Sequence, residues 1–315
     1  MIYQRTRGRI GGRVMSGLNG QHSGRAGMLS GVAAAIAGMT LNWASSPGNL
    51  IPPGFGLTRT GGGATYYDST GTLQTAAADT ARGTYRYNGS AWVFDGTMIE
   101  AASTNLVVQS ETMTIANGWS QNSGTANETT GVTDPAGTTK AVTLTGTAGN
   151  AITGRYREVT FTSSGTKGVS VFIKQGTAAN TRFWLYDYTA TTVRHDVFVT
   201  WSGGVPVMTT NAGGGTLYTP ERLANGWWRL PITATGIVHT NTNGLVFYSD
   251  RAGTNLSTTW YGSQAEDSSP TSYIATGAAS ATRNADVVTA TTSGLQAGAQ
   301  GFAAGAFRLI AEAVT

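Results

Sequence analysis

The sequence predicts an all-β fold, an antiparallel β-sandwich or jelly roll preceded by an irregular N-terminal arm. Three observations predict it. Between residues 119 and 276, short β-branched and aromatic runs alternate with clusters of Gly, Asn, Ser and Asp, the pattern of strands joined by tight turns. No amphipathic stretch of helical length interrupts them, which argues against a parallel α/β sheet. Aromatic residues are plentiful (8 Trp, 12 Tyr, 9 Phe) while charged residues make up only 11% of the 315, against about 25% in an average domain. Such a chain has apolar surface for a core and lacks the charge density of a disordered one.

Residues 1–45 read as a separate arm. Arg5, Arg7, Arg9, Arg13, Arg25 and then Arg59 all precede the first acidic residue, Asp68. Subtracting those six from the net charge of +4 leaves −2 for the remainder. The body is therefore nearly neutral and lacks the clustered Lys and Arg that a nucleic-acid groove needs. An apolar stretch at 28–39 follows the arginines. Basic, apolar and small residues in that order imitate a secretory signal. The basic part is long, however, and Gly31 and Gly38 dilute the apolar one. A bilayer span needs about 20 residues, so no membrane insertion is expected. Two readings are preferred: an Arg-rich segment that orders on a partner, and a flexible lead followed by a short docking helix at 30–39. An acidic groove on another protein and packaged nucleic acid are both targets for Arg5, Arg7, Arg9, Arg13 and Arg25; a disordered, solubilising end is the plain alternative. Protein docking is preferred, because attachment needs a segment exempt from the sandwich.

Residues 46–115 form a turn-rich proximal region carrying the first strands. Pro47, Pro52 and Pro53 give an extended path, Asp68-Ser-Thr-Gly71 is a turn sequence, and Asn88-Gly89 is a hairpin signal. The stretch 98–111 reads as a short helix or an extended segment. Residues 116–290 form the sandwich body, with strands expected at 140–144, 155–162, 168–175, 182–188, 193–201, 226–234, 245–249 and 260–264, and a hairpin closed by Ser202-Gly203-Gly204. Residues 291–315 end in Phe302, Phe307, Leu309 and Ile310, too apolar for a free tail, and are expected to dock on the body or on a neighbouring subunit.

The absence of Cys excludes disulfides, thiolate metal sites and Cys nucleophiles. His22, His195 and His239 are isolated and lack metal-site spacing. His195-Asp196 is the one close His–carboxylate pair, and neighbours on a strand point apart. There is no Gly-x-Ser-x-Gly elbow. Glu100, Asp187, Asp250, Glu266 and Asp267 mark no acid/base pair of the kind glycoside hydrolysis uses, although sequence leaves open a pair formed in space. Asp250 and the Glu266-Asp267 turn offer oxygen to Ca2+ without a complete calcium-loop pattern. No catalytic residue, metal or cofactor is assigned. For binding, Trp184, Tyr186 and Tyr188 alternate with Phe183, Leu185 and Asp187, so three aromatics share one face. That face reads either as an aromatic platform for sugar rings or, in the preferred reading, as packed surface with Tyr hydroxyls at its edge. Trp201, at a hairpin end, is a fourth candidate for glycan contact. At most one of Trp227 and Trp228 lies in the core if the other face is solvated.

Several segments together resemble the sandwich domains of phage head spikes and tail fibres and of gene-transfer-agent particles. They are GLTRT (56–60) with ATYYDSTGTLQTAA (64–77), IEAASTNLVVQSE (99–111), NGWWRL (225–230), WYGSQAEDSSPTSYIAT (260–276) and TRNADVVT (282–289), covering about three quarters of the chain. The resemblance implies a concanavalin-like or carbohydrate-module-like sandwich on a virion surface, assembled in the host cytoplasm, without a catalytic site. The expected protein is a head-spike or tail-fibre subunit. It would attach through its arm to a capsid, portal, tail or spike-base protein. It would assemble as a homo-oligomer, trimeric or pentameric, and meet a host capsular or surface polysaccharide or other fibre subunits. A purely architectural component and a polysaccharide depolymerase are the alternatives.

Overall fold

The computed structural model describes residues 46–51, 55–123 and 127–290, together with the backbone of short strands at Met28–Leu29, Val32–Ile36, Met39–Trp43 and Phe307–Leu309. The five arm arginines lie outside the described residues. The proximal strands are β1 (Met28–Leu29), β2 (Val32–Ile36), β3 (Met39–Trp43), β4 (Phe55–Thr58), β5 (Ala64–Tyr67), β6 (Leu73–Ala76), β7 (Arg82–Tyr87), β8 (Trp92–Met98) and β9 (Ser103–Asn105). The short helix expected at 30–39 is replaced by strand pairing, β2 with β3 from Val32–Trp43 to Ile36–Met39. Gly31 and Gly38 disfavour a helix over that stretch. At 98–111 the extended alternative holds, since β9 pairs with a strand near residue 282.

The body comprises β10 (Ser120–Asn122), β11 (Asn127–Val132), β12 (Ala141–Thr145), β13 (Gly154–Val159), β14 (Gly165–Gln175), β15 (Asn180–Asp187), β16 (Thr192–Ser202), β17 (Val205–Gly213), β18 (Glu221–Arg222), β19 (Trp227–Ile237), β20 (Asn243–Tyr248) and β21 (Ser257–Glu266). Three last strands follow, β22 (Ala281–Arg283), β23 (Val287–Ala290) and β24 (Phe307–Leu309). All pairings are antiparallel. They build two six-stranded sheets, a first in the order β10-β13-β20-β15-β16-β17 and a second in the order β11-β12-β21-β14-β19-β18. No α-helix occurs among the described residues, and none of their elements is a helix long and apolar enough to cross a membrane.

Alternation explains the packing. Val169, Val171 and Ile173 of β14 meet Phe183 and Leu185 of β15, Val197 and Val199 of β16, Leu230 and Ile232 of β19, and Phe247 and Trp260 in one core between the sheets. The intervening residues of the second sheet do not face water. Phe172, Trp227 and Tyr261 form another apolar layer with Tyr67, Leu73 and Tyr273. The proximal region thus lies over the outer face of the second sheet, tied by Thr65 Oγ1 donating to the Tyr273 carbonyl at 2.6 Å and by Leu73 N donating to the Pro135 carbonyl at 3.0 Å. Both tryptophans of NGWWRL are accordingly packed: Trp227 in this second layer, Trp228 against the central core.

Candidate functional site

The outer face of the first sheet is where the expected glycan-binding residues come together. Phe183 and Leu185 point into the core, and β15 turns Arg182, Trp184 and Tyr186 outward, with Tyr188 just beyond its end. Register places Val246 and Gly244 of β20 opposite Trp184 and Tyr186, and Asp196 of β16 on the other side of Trp184. Tyr156 of β13 pairs with Val246. Aromatic side chains therefore extend over three neighbouring strands.

These rings do not tile a flat platform. Side chains on one strand face repeat about every 6.7 Å and stand roughly perpendicular to the sheet, so consecutive rings stack on one another. Trp184 and Tyr186 are stacked at 5.4 Å with an interplanar angle of 28°, and Tyr186 meets Tyr188 edge to face at 5.0 Å. Tyr188 leans on Tyr156 at 5.6 Å, and Tyr248 meets Trp184 edge-on at 5.5 Å. The Arg182 guanidinium lies 4.3 Å from the ring centres of both Trp184 and Tyr248. The indole of Trp184 is thus flanked by Tyr186 on one side and Arg182 on the other, leaving ring edges for contact.

The polar groups of this face are incompletely used. Asp196, 1% exposed, accepts from Asn211 Nδ2 at 2.7 Å and lies 3.4 Å from Arg182, all through Oδ2. Its Oδ1 has no partner, and neither have Trp184 Nε1, Tyr188 Oη, Arg182 Nε or Arg251 Nε. Burial, with the neighbouring hydroxyls and Glu158, raises the Tyr188 phenol well above its ordinary range, so it is a neutral donor. Beyond Asp196, the face continues with Phe198 and with Val207 and Val205 of β17, which are 46% and 44% exposed.

Trp201 is not part of this face. Alternation from Asp196 sends it inward, where it packs against the central core. Its place at a hairpin end misled the sequence reading, because the Gly203-Gly204 turn lies one residue beyond Ser202 and β16 keeps its alternation to the end. His195 and Asp196 do point apart: His195 is buried, with Nδ1 2.6 Å from the Thr233 carbonyl and Nε2 3.0 Å from Thr210 Oγ1.

The carboxylates weighed for catalysis or calcium have structural partners. Asp187 accepts from the Ala190 amide, Arg194 and Asn241 Nδ2. Asp250 accepts from the Ala252 and Thr254 amides, which present N–H groups where a cation would have to sit. Glu266 accepts from Ser103, Gln264 and Thr271, and Asp267 pairs with Lys167 at 2.7 Å. Among the described residues no group of three or more His, Asp or Glu could hold a metal ion.

A second constellation was missed by the sequence reading. Arg59, Arg82, Glu100, Ser272, Arg283 and Asp286 meet in a buried network. Asp286 bridges Arg59 at 2.7 Å and Arg82 at 2.5 Å; Glu100 binds Arg82 at 2.9 Å, faces Arg283 at 3.4 Å and accepts from Ser272 N at 2.8 Å. Burial pushes the Glu100 carboxyl up, but Arg283, Arg82 and Ser272 outweigh it and hold it below its ordinary range. The signal was present in the sequence: charged residues are sparse in this chain, and the charged members of the network other than Arg82 stand in GLTRT, IEAASTN and TRNAD.

No family model and no curated protein matches the chain. Among solved structures it is similar to the CBM22-1–GH10 modules of Clostridium thermocellum endo-1,4-beta-D-xylanase 10B complexed with xylohexaose, at 13% identity and a TM-score of 0.33 over 56% of this chain and 30% of that one. It is also similar to arabinose-bound MgGH51 α-L-arabinofuranosidase, at 12% identity and a TM-score of 0.31 over 53% of this chain and 26% of that one. The chain therefore spans less than a third of either structure's length.

Proposed function

We propose that the chain is a non-catalytic surface subunit of a phage or phage-like particle, and that the outer face of its first sheet docks a host-surface polysaccharide. The particle role is supported by the resemblance of its sequence segments to head-spike and tail-fibre sandwiches. The docking role rests on one observation, the inequality of the two outer faces. The second sheet is covered by the chain's own proximal region, whereas the first carries partly exposed Trp184, Tyr186, Tyr188 and Tyr156. Asp196 Oδ1, Trp184 Nε1 and Tyr188 Oη lie buried beneath these rings without partners, so a ligand meets them only when the rings shift. Such a face suits a ligand rich in hydroxyls, held through hydrogen bonds and ring edges more than through stacking. Many copies on one particle would turn weak individual binding into firm attachment.

The test is retardation of the purified chain in gels containing capsular polysaccharides of candidate hosts, alongside Tyr186→Ser. Retardation that Tyr186→Ser lowers about tenfold or more, with thermal melting little changed, supports the reading. Retardation insensitive to Tyr186 and Trp184 substitution counts against this face.

A second reading is favoured by the packing of Trp184, both of whose ring sides are occupied. In it the same face is covered by a neighbouring subunit, and the protein is architectural. A density map of the intact particle separates the two: a face open to the exterior fits adhesion, and one sealed by another chain fits architecture.

A further inference from the structure

We infer that the polysaccharide taken by this face is an acidic one, and that Arg251 receives its charged group; the inference rests on the docking role proposed above. Arg251 is the second residue of a tight turn that follows β20. Its amide donates to the Asn180 carbonyl at 3.1 Å, and its guanidinium lies 4.7 Å over the ring of Phe198, on the outer face beside Arg182. No acidic residue pairs with it among the described residues, and its Nε is buried without a partner. The neighbouring carboxylate in sequence, Asp250, is turned away into the turn and taken up by the amides of Ala252 and Thr254.

Of these two guanidiniums only Arg182 meets a carboxylate on this face. Phe198, the ring under Arg251, is the register partner of Arg182, and Asp196, two residues along β16, reaches Arg182 only at 3.4 Å. An arginine over an aromatic ring is held in place with its planar fork free to bind, which suits a carboxylate or another acid group. The far end of the face ends at exposed Glu158, which pairs with Gly244 in register and repels an acid group. The face is thus polar along its length, with its positive end at Arg251.

The experiment compares a panel of carboxyl-bearing capsular polysaccharides with the same polymers after reduction of their carboxyls to primary alcohols. It uses the full chain and Arg251→Gln. A charge-assisted hydrogen bond predicts retention at least about tenfold stronger on the acidic forms, weakened by added sodium chloride. Arg251→Gln is expected to abolish the difference, the variant binding acidic and reduced polymers alike, while its melting temperature stays near that of the parent. Equal binding to acidic and reduced polymers overturns the acid preference and leaves the docking role standing. An acid preference that survives Arg251→Gln overturns the assignment to this residue. Binding to no member of either set removes the docking role itself, and this inference with it.

Discussion

His195 shows how a single residue's chemistry is set by the two sheets around it. Its ring bridges the sheets, accepting from or donating to Thr210 and reaching the carbonyl of Thr233 on β19. A short contact between Nδ1 and a carbonyl oxygen requires the proton on Nδ1, which leaves Nε2 to accept from the Thr210 hydroxyl. Gly215 permits this approach, because a Cβ there would lie 1.9 Å from the same carbonyl oxygen and 2.7 Å from Nδ1. Burial holds the His195 pKa below its ordinary value, outweighing the opposing effects of the Thr233 carbonyl and Asp196. The native state therefore stays unprotonated at pH values where the unfolded chain, titrating near 6.5, already binds a proton. Stability from this group is complete above about pH 6.5 and is lost as pH falls from there through the native pKa, at about 1.4 kcal/mol per pH unit across that interval. Thermal melts between pH 7.5 and 5 should show this fall in the parent and a shallower one in His195→Gln. Identical profiles for the two proteins would remove His195 as the cause.

At the scale of elements, one turn recurs. Asp-x-x-Gly-Thr occurs at 68–72, 134–138 and 250–254. Each time the Asp carboxylate accepts amides two and four residues on, and Gly71, Gly137 and Gly253 take φ of 77°, 81° and 66°, the left-handed region that favours glycine. Asp134, 1% exposed, receives the amides of Ala136, Thr138 and Lys140 and the Thr138 hydroxyl. Asp134→Ala leaves these donors without their acceptor and should cost about 1–3 kcal/mol in urea unfolding; a cost near zero would mean that water replaces the carboxylate. The sequence showed the first of these turns and passed over the other two, because each lies between strands of quite different composition. The eight body strands were legible from alternation and β-branching, within about three residues at their ends. Short strands such as β11 and β18 were not, since Asn127–Val132 and Glu221–Arg222 have neither alternation nor apolar content; pairing with β12 and β19 makes them strands. The shared face of Trp184, Tyr186 and Tyr188 was legible from period two, but the stacking of their rings depends on neighbours from other strands and was not.

Across the whole molecule, the buried ion network decides whether the proximal region is a separate body or a lid fixed to the sandwich. Arg59 comes from just after β4, Arg82 opens β7, Glu100 follows β8, Ser272 belongs to the loop after β21, and Arg283 and Asp286 flank the last strands. The network therefore gathers the proximal region and the last part of the described chain into one buried site. Charges buried this way are weak contributors while intact, and removal of one partner is expensive because the others stay buried. Arg82 is the hinge of the arrangement, since it alone touches both Asp286 and Glu100 and also donates to the Thr65 carbonyl. Arg82→Met should therefore destabilise the protein by about 3–5 kcal/mol. It should also loosen the proximal region first, because Tyr67 and Leu73 cover the second sheet only while that region is held down. Limited proteolysis should then cut between residues 59 and 100 before the sandwich, at a stretch the parent should keep intact under the same conditions. An Arg82→Met protein that melts like the parent and shows no early cut there would mean that the apolar layer of Tyr67, Leu73, Phe172 and Tyr273 suffices to hold the two parts together.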